Sequence, residues 1–360
     1  MIIKKYQSYI YSQFTKIFLF VSLVFFCIIS IINIFEEIRF HEKYNTEPYY
    51  IIYLSFLNAP AVMFEIFPFI FLISIKFFYL RFSEKNELNI LNMNGVSKLK
   101  IIYFLSLFSM FLGVFLLLVY YSFSSELKNK YLDIKNSFSN SNEYLAVVND
   151  DGLWIKEEVD NNIFIIHAEK FDKNKLKSLT ITETDKYYKN KNTINAEEAV
   201  ISSKNWQLSN VSILNDNGLN YSYKSYVYNS TFTGEIISNL FSNLNSLNIY
   251  ELHKLSNSYL KIGYSNTDIK IHLNKIYSMP IFYILMTILG FVIINKFKKI
   301  NSKFFTIIFG IFISVLVYYL NYFASLLGNK GVLPIHLSVW IPLLLLFLIC
   351  NIGLLKVNEN

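Results

Sequence analysis

The chain has 360 residues, 53% hydrophobic, 18% aromatic and only 16% charged, with 33 Lys and Arg against 26 Asp and Glu for a net charge of +7. A soluble domain is about a quarter charged, so this composition argues against a wholly soluble protein. The basic residues sit at the ends of apolar runs rather than in one patch, which argues against nucleic acid as a partner.

A helix needs roughly 20 apolar residues to cross a bilayer core. Six runs qualify: 17–35, 49–75, 101–125, 276–295, 304–329 and 331–355. Glu65 is the one Asp, Glu, Lys or Arg among them. They predict spans at about 14–36, 50–81 and 98–125 in an N-terminal membrane half (1–125), and at about 274–296, 303–327 and 335–356 in a C-terminal half (271–360).

Residues 1–13 alternate Ile2, Ile3, Tyr6, Tyr9 and Ile10 with Lys4, Lys5 and Gln7, as a short interfacial helix leading into the first span does. That span is longer than a signal-peptide apolar core, and Phe35-Glu36-Glu37 offers no small-residue cleavage site, so it reads as a retained helix. Lysines and arginines cluster at alternate span ends: Lys4, Lys5 and Lys16; Lys76, Arg81, Lys85, Lys98 and Lys100; Lys296, Lys298, Lys299 and Lys303; and Lys356. The positive-inside bias then puts both termini in the cytoplasm and the polar insertion outside.

In the second span Glu65 lies between Pro60 and Pro68, a pattern that predicts a broken helix and a cavity wall. Between the second and third spans, Ser83 suits an N-cap, Glu84 and Glu87 an acidic first turn, Leu88, Ile90 and Leu91 an apolar patch, and Gly95 a C′ position. These predict a short helix at 83–95, with Ser97 capping the next span. Arg39 beyond the first span, and Lys128 and Lys130 past the third, are cations placed to meet lipid phosphates.

The insertion, 126–270, has a different texture. Short, partly alternating runs at 145–148, 153–156, 163–168, 176–182, 193–202, 206–214 and 221–231 are separated by Asn-Asp-Gly turns. They predict about seven strands in a sandwich or jelly roll, followed by a connecting helix at about 249–262. Cys27 and Cys350 both fall in spans, so this domain has no disulfide to lean on, and the five histidines show no metal-ligand spacing. No P-loop, H-E-x-x-H or G-x-S-x-G is present, so the chain carries no catalytic motif and does not cradle ATP through a P-loop of its own. The fold class is a six-span α-helical membrane protein, three plus three, with an inserted all-β jelly-roll domain.

Several local patterns carry a resemblance: Pro60 with Ile66-Phe67-Pro68; Asn86-Glu87-Leu88 followed by Asn94-Gly95-Val96-Ser97; Asp151-Gly152-Leu153-Trp154-Ile155-Lys156; and Gly331-Val332-Leu333-Pro334 with Trp340-Ile341-Pro342. In this order and layout the chain resembles the LptF/LptG (YjgP/YjgQ) permeases of the lipopolysaccharide export transporter, with the Asp151–Lys156 stretch closer to LptG. The resemblance implies a non-catalytic subunit of a multi-pass inner-membrane transporter. In it the short cytoplasmic helix, with Glu87 as its acidic residue, seats in an LptB-like ATPase dimer. That ATPase would bind ATP and Mg, and this chain no cofactor.

It further implies pairing with a homologous LptF-like permease around a cavity that takes up lipopolysaccharide, and a jelly roll that passes the acyl chains to LptC- and LptA-like proteins. The chain departs from the pattern at Asn33, where LptG often has lysine, at Arg39-Phe40, which replaces a basic pair, and at Asn86, which replaces serine. A competing expectation is a membrane-anchored scaffold or receptor whose external β domain binds a partner protein without transport. Four-span couplers of the MacB or FtsX kind are excluded by the span count and by an insertion placed after the third span.

Overall fold

The computed structural model describes residues 5–138, 153–159, 162–172, 174–185, 190–215, 219–230, 232–234, 237, 243–261, 265–296 and 303–358. The chain divides into two compact units, residues 1–127 with 270–360, and residues 128–269.

Six helices of the described residues are long and apolar enough to cross a membrane. Helix α1 (Lys5–Tyr44) runs unbroken for 40 residues, about 60 Å, or twice a bilayer core. From Lys5 on, the amphipathic leader runs into the first span as one continuous helix; Ile10 and Phe14 on its apolar side are fully buried. The strand-free segment then continues as α2 (Tyr49–Glu84), α3 (Glu87–Met93) and α4 (Lys98–Phe115). A π-turn over Leu116–Tyr120 joins α4 to α5 (Tyr121–Phe138) within the third span.

The C-terminal spans are α7 (Thr267–Lys296), α8 (Lys303–Asn329) and α9 (Ile335–Asn358), after α6 (Ile249–Lys261) in the other unit. Most of α2 and α7 is buried, against less than a fifth of the described span in α8. The two form the centre of the membrane unit. Lipid supplies no hydrophobic drive between helices, so close approach through small residues and hydrogen bonds must hold them. Gly290 of α7 lies against Leu72 and Ile75 of α2, where a Cβ would clash. Beside it Phe71 of α2 stacks on Tyr283 of α7 with ring centroids 4.8 Å apart, and Tyr79 meets Phe291 at 4.9 Å. Around this pair Gly113 brings α4 onto Pro280 and Tyr283, and Gly353 brings α9 onto Val292. Ser109 and Thr287 share a buried hydrogen bond at 3.0 Å between the third and fourth spans.

Unit two is an antiparallel sheet of six described strands: β1 (Leu153–Val159), β2 (Asn162–Asp172), β3 (Lys175–Thr184), β4 (Asn190–Val200), β5 (Asn205–Asn215) and β6 (Asn220–Asn229). The inserted all-β domain is as expected, and six of the seven anticipated strands are present; 145–148 lies outside the described residues. Among the described residues the strands follow one another as a meander, β1 to β6 in sequence, and Greek-key crossings of the jelly-roll kind are not seen there.

One crease crosses this sheet. Pairing skips the row that would hold Glu169, Ser178, Glu197, Asn210 and Lys224. Ser178 and Asn210 there adopt φ of 52° and 53°, and Asn210 donates to Glu197 at 2.6 Å. On either side of it the buried face changes phase: Leu176 against Leu179 and Ile181 in β3, Ala199 against Ala196 and Ile194 in β4, Leu208 against Val211 in β5.

The sheet also curls. Its edge strands β1 and β6 are five strand spacings apart, about 24 Å if flat, yet Tyr228 of β6 donates to Glu157 of β1 at 3.3 Å. Phe164 of β2 lies 6.0 Å from the Tyr228 ring. At the start of α6, Asn248 and Glu251 cap each other reciprocally at 2.9 Å each way, a capping box.

Gly290→Leu is expected to overpack the α2–α7 contact and cost about 1–3 kcal/mol, lowering the midpoint of thermal unfolding in detergent. Gly331→Ala, at φ 72° in open space, should cost only about 1 kcal/mol. An equal or smaller loss for Gly290→Leu would contradict this packing.

Candidate functional site

The short helix α3 stands on a turn built from its own sequence. Asn86 precedes it in the left-handed region at φ 57°. At its end Gly95 takes φ 78°, its N–H donates to Asn92 O at 3.0 Å, and the Val96 N–H donates to Leu91 O at 3.0 Å. This is a Schellman end with Gly95 at C′, as its sequence suggests. Val96, buried, anchors the exit, and Ser97 Oγ accepts from Lys100 N–H at 3.3 Å to start α4.

Ser83 and Glu84 do not belong to this helix. They form the last turn of α2, with the Asn86 N–H donating to Ser83 O at 3.1 Å. A left-handed residue at Asn86 stops α2 from running on, and so α3 begins at Glu87 rather than at 83. No α3 residue is buried. Leu88 and Leu91 are half-buried, while Ile90 is 56% and Met93 88% exposed. Sequence pattern pointed to Leu88, Ile90 and Leu91 but missed Met93, the barest of the set.

A contact that no local pattern announces ties this helix to the first span. Tyr9 Oη of α1 donates to Glu87 Oε2 at 3.1 Å, and its ring lies 6.0 Å from Phe82 of α2. The first two spans and α3 thus meet at one point.

Deeper in the membrane unit, α2 passes through Pro60 and Pro68 without a break. The expected interruption is absent: both prolines are buried within the continuous helix, and Tyr120 Oη, from the π-turn of the third span, donates to Pro60 O at 3.2 Å. Glu65 between them is exposed on the isolated unit, near enough to Lys275 of α7 and Tyr318 of α8 to act on both electrostatically. One turn along α7 from Lys275, His272 shares a hydrogen bond with Tyr121 at 3.3 Å. A second cation, Lys76 of α2, is 1% exposed, and Gly310 of α8 leaves the space its ammonium fills. From the sequence it reads as a topology-setting cation at a span end; the structure buries it.

The proposed lipid-facing cations fall in both units: Arg39 is exposed in the membrane unit, while Lys128 and Lys130 belong to the other. Lys128 Nζ sits over the Tyr131 ring at 4.5 Å. Asn33, at the departure from the LptG pattern, is buried and donates to Ser55 O of α2 at 3.2 Å. It is a link between spans, not a cavity group.

In the sheet, Glu157 is 3% exposed. It accepts from Tyr228 Oη at 3.3 Å and from Ser230 Oγ at 3.2 Å. Burial and the Glu157 charge hold the Tyr228 phenol well above its ordinary range. Trp206 Nε1 donates to Phe232 O at 2.8 Å and packs on Tyr228. Among the described residues no group of His, Cys, Asp and Glu is placed to hold a metal.

Residues 8–356 match the family described as lipopolysaccharide export system permease LptF/LptG. The chain belongs to that family: it is a permease component of the lipopolysaccharide export system and a multi-pass inner-membrane protein. No curated protein matches it.

Gly95→Ala forces a side chain into the left-handed region, at roughly 1–2 kcal/mol. Amide hydrogen exchange across 87–96 should quicken about tenfold while α2 and α7 are unaffected. Unchanged exchange there would show that the Schellman end does not hold α3.

Proposed function

We propose that the chain is the non-catalytic, LptG-like half of a permease pair. In this reading both termini are cytoplasmic, the sheet unit is periplasmic, and α3 docks into an LptB-like ATPase dimer that binds ATP and Mg. The observation that carries the docking is α3 itself: an apolar surface with Ile90 and Met93 bare, held rigidly by a Schellman end and by the Tyr9–Glu87 contact. A solvated loop needs neither the apolar surface nor the rigidity.

Support for the orientation comes from the alternation of Lys and Arg at span ends. ATP binding in the partner pulls α3, and with it α2. Because α2 is unbroken and packed on α7, the pull reaches the level of Glu65, Lys275 and Tyr318. That exposed, charged surface within a span faces a water-filled cavity or a second permease, since lipid tails do not solvate it. Movement of the spans squeezes a lipopolysaccharide molecule out of the cavity shared with an LptF-like subunit. Its acyl chains then travel along the curled sheet towards LptC- and LptA-like proteins. Arg39 in the membrane unit, and independently Lys128 and Lys130 in the other, are cations suited to its phosphates.

Co-purification with the co-expressed ATPase tests this. Ile90→Asp, Leu88→Asp or Glu87→Lys should each reduce recovered ATPase tenfold or more, since one buried apolar side chain is worth about 1.5–3 kcal/mol. Lys254→Asp in α6 should leave it unchanged. Full association in all three variants would remove the transport reading in favour of a membrane-anchored scaffold whose β domain binds a partner protein.

A further inference from the structure

Among the described residues the curled sheet is closed by side chains: strands β1 and β6 are its two edges there, and no pairing between them is present. They are held through Glu157, whose carboxylate takes the Tyr228 and Ser230 hydroxyls, with Ser230 Oγ in turn accepting from Phe232 N–H at 3.1 Å. Every described inward neighbour of this carboxylate on β1 is apolar: Leu153 and Ile155 are 1% exposed each.

Strand β6 is otherwise barely attached to the interior. Tyr228 is its single buried residue; the other nine are exposed. Tyr221, Tyr223, Tyr226 and Val227 leave large apolar surfaces bare. An edge strand with both faces uncovered is a liability that proteins normally blunt with charge, proline or a bulge, and β6 carries only Lys224. A tyrosine ring, apolar in body and polar at its tip, suits an amphipathic neighbour such as a lipid with an apolar body and a polar boundary.

We propose that the β1–β6 seam is the lateral port through which the acyl chains of an amphipathic lipid enter the apolar interior of the sheet, and that Glu157, Tyr228 and Ser230 are its clasp. This rests on the reading of the sheet as a lipid conduit. When the clasp parts, β6 moves away from β1 while still paired to β5, since Tyr228 is the one buried residue of the strand. The aromatic side chains on β6 then line the way in, and the inward rows of Ile166, Ile181 and Ile194 receive the chains. When it closes, the Tyr228 and Ser230 hydroxyls both donate to the buried carboxylate. Three side chains can exchange partners with water far more readily than a continuous backbone ladder can, which is what a repeatedly opened port requires.

The test uses the full permease–ATPase complex in proteoliposomes containing lipopolysaccharide, with Cys27 and Cys350 changed to Ser. A photoreactive residue at Ile194 reports lipid inside the sheet. Glu157→Cys with Ser230→Cys is bridged by a short bifunctional thiosulfonate and then reduced. The bridged protein should lose at least tenfold in ATP-dependent lipid labelling at 194, keep its ATPase turnover and bound lipid in the membrane unit, and recover labelling on reduction. Labelling at the unbridged level after bridging would overturn the port. Absence of labelling in the protein with native Glu157 and Ser230 would overturn the conduit reading itself, and the port with it. A second route needs no cysteines. Tyr228→Phe with Ser230→Ala should speed amide exchange across β6 and raise labelling severalfold, whereas unchanged exchange and labelling would show that these hydroxyls clasp nothing.

Discussion

The contact between α2 and α7 is the constraint on which the rest of the membrane unit depends. A second span containing two prolines and a carboxylate is a poor candidate for a continuous, buried helix. It is both, and α7 presents Gly290 to it, letting backbone approach backbone, while Phe71 and Tyr283 stack beside that point. Every other span attaches to one of these two. The third reaches α7 through Gly113 and Ser109, the sixth through Gly353, and the fifth meets α2 where Gly310 admits Lys76. Small residues, rather than apolar bulk, set this geometry.

A continuous α2 changes what its ends can do to each other. At one end it turns through Asn86 into α3, clipped by Tyr9; at mid-depth it carries Glu65 beside Lys275 and Tyr318. A helix broken at Pro60 and Pro68 would absorb a displacement of α3. An unbroken one, with the Pro60 carbonyl engaged by Tyr120 from the π-turn, passes it on. In the sheet unit, by contrast, the crease is a row at which the ladder skips a pair, and β1 and β6 meet through the side chains of Glu157, Tyr228 and Ser230.

Much of this was legible in the sequence, and the failures have physical reasons. The six spans were plain because about 20 uncharged residues admit few other interpretations. Gly95 and Ser97 were readable because cap chemistry is local. The start of α3 was not: Ser83 with Glu84 and Glu87 has the pattern of an N-terminus, but α2 overran it, and the stop came from a left-handed Asn86, which composition does not specify. The helix-breaking expectation at Pro60 and Pro68 failed because α2 is held in a buried contact by partners distant in sequence, Gly290 and Tyr283 of α7 among them, which local composition does not specify. The strands showed only partial alternation for a reason now visible: at Ser178, Glu197 and Asn210 the buried face changes phase within single strands. The meander order and the Glu157 clasp lie beyond any pattern of spacing, because they join residues through the curl of the sheet.

The central claim is that α3 and α2 move as one rigid shaft. Spin labels at Asn92 on α3 and Ile52 at the far end of α2, measured by double electron–electron resonance in the assembled complex, test it most directly. The account predicts the same 92–52 distance in the nucleotide-free and ATP-trapped states, while the distance from 92 to a label at Val332, between the fifth and sixth spans, shifts. A 92–52 distance that changes with nucleotide while 92–332 stays fixed would mean that α2 bends or α3 swings alone, and would contradict it.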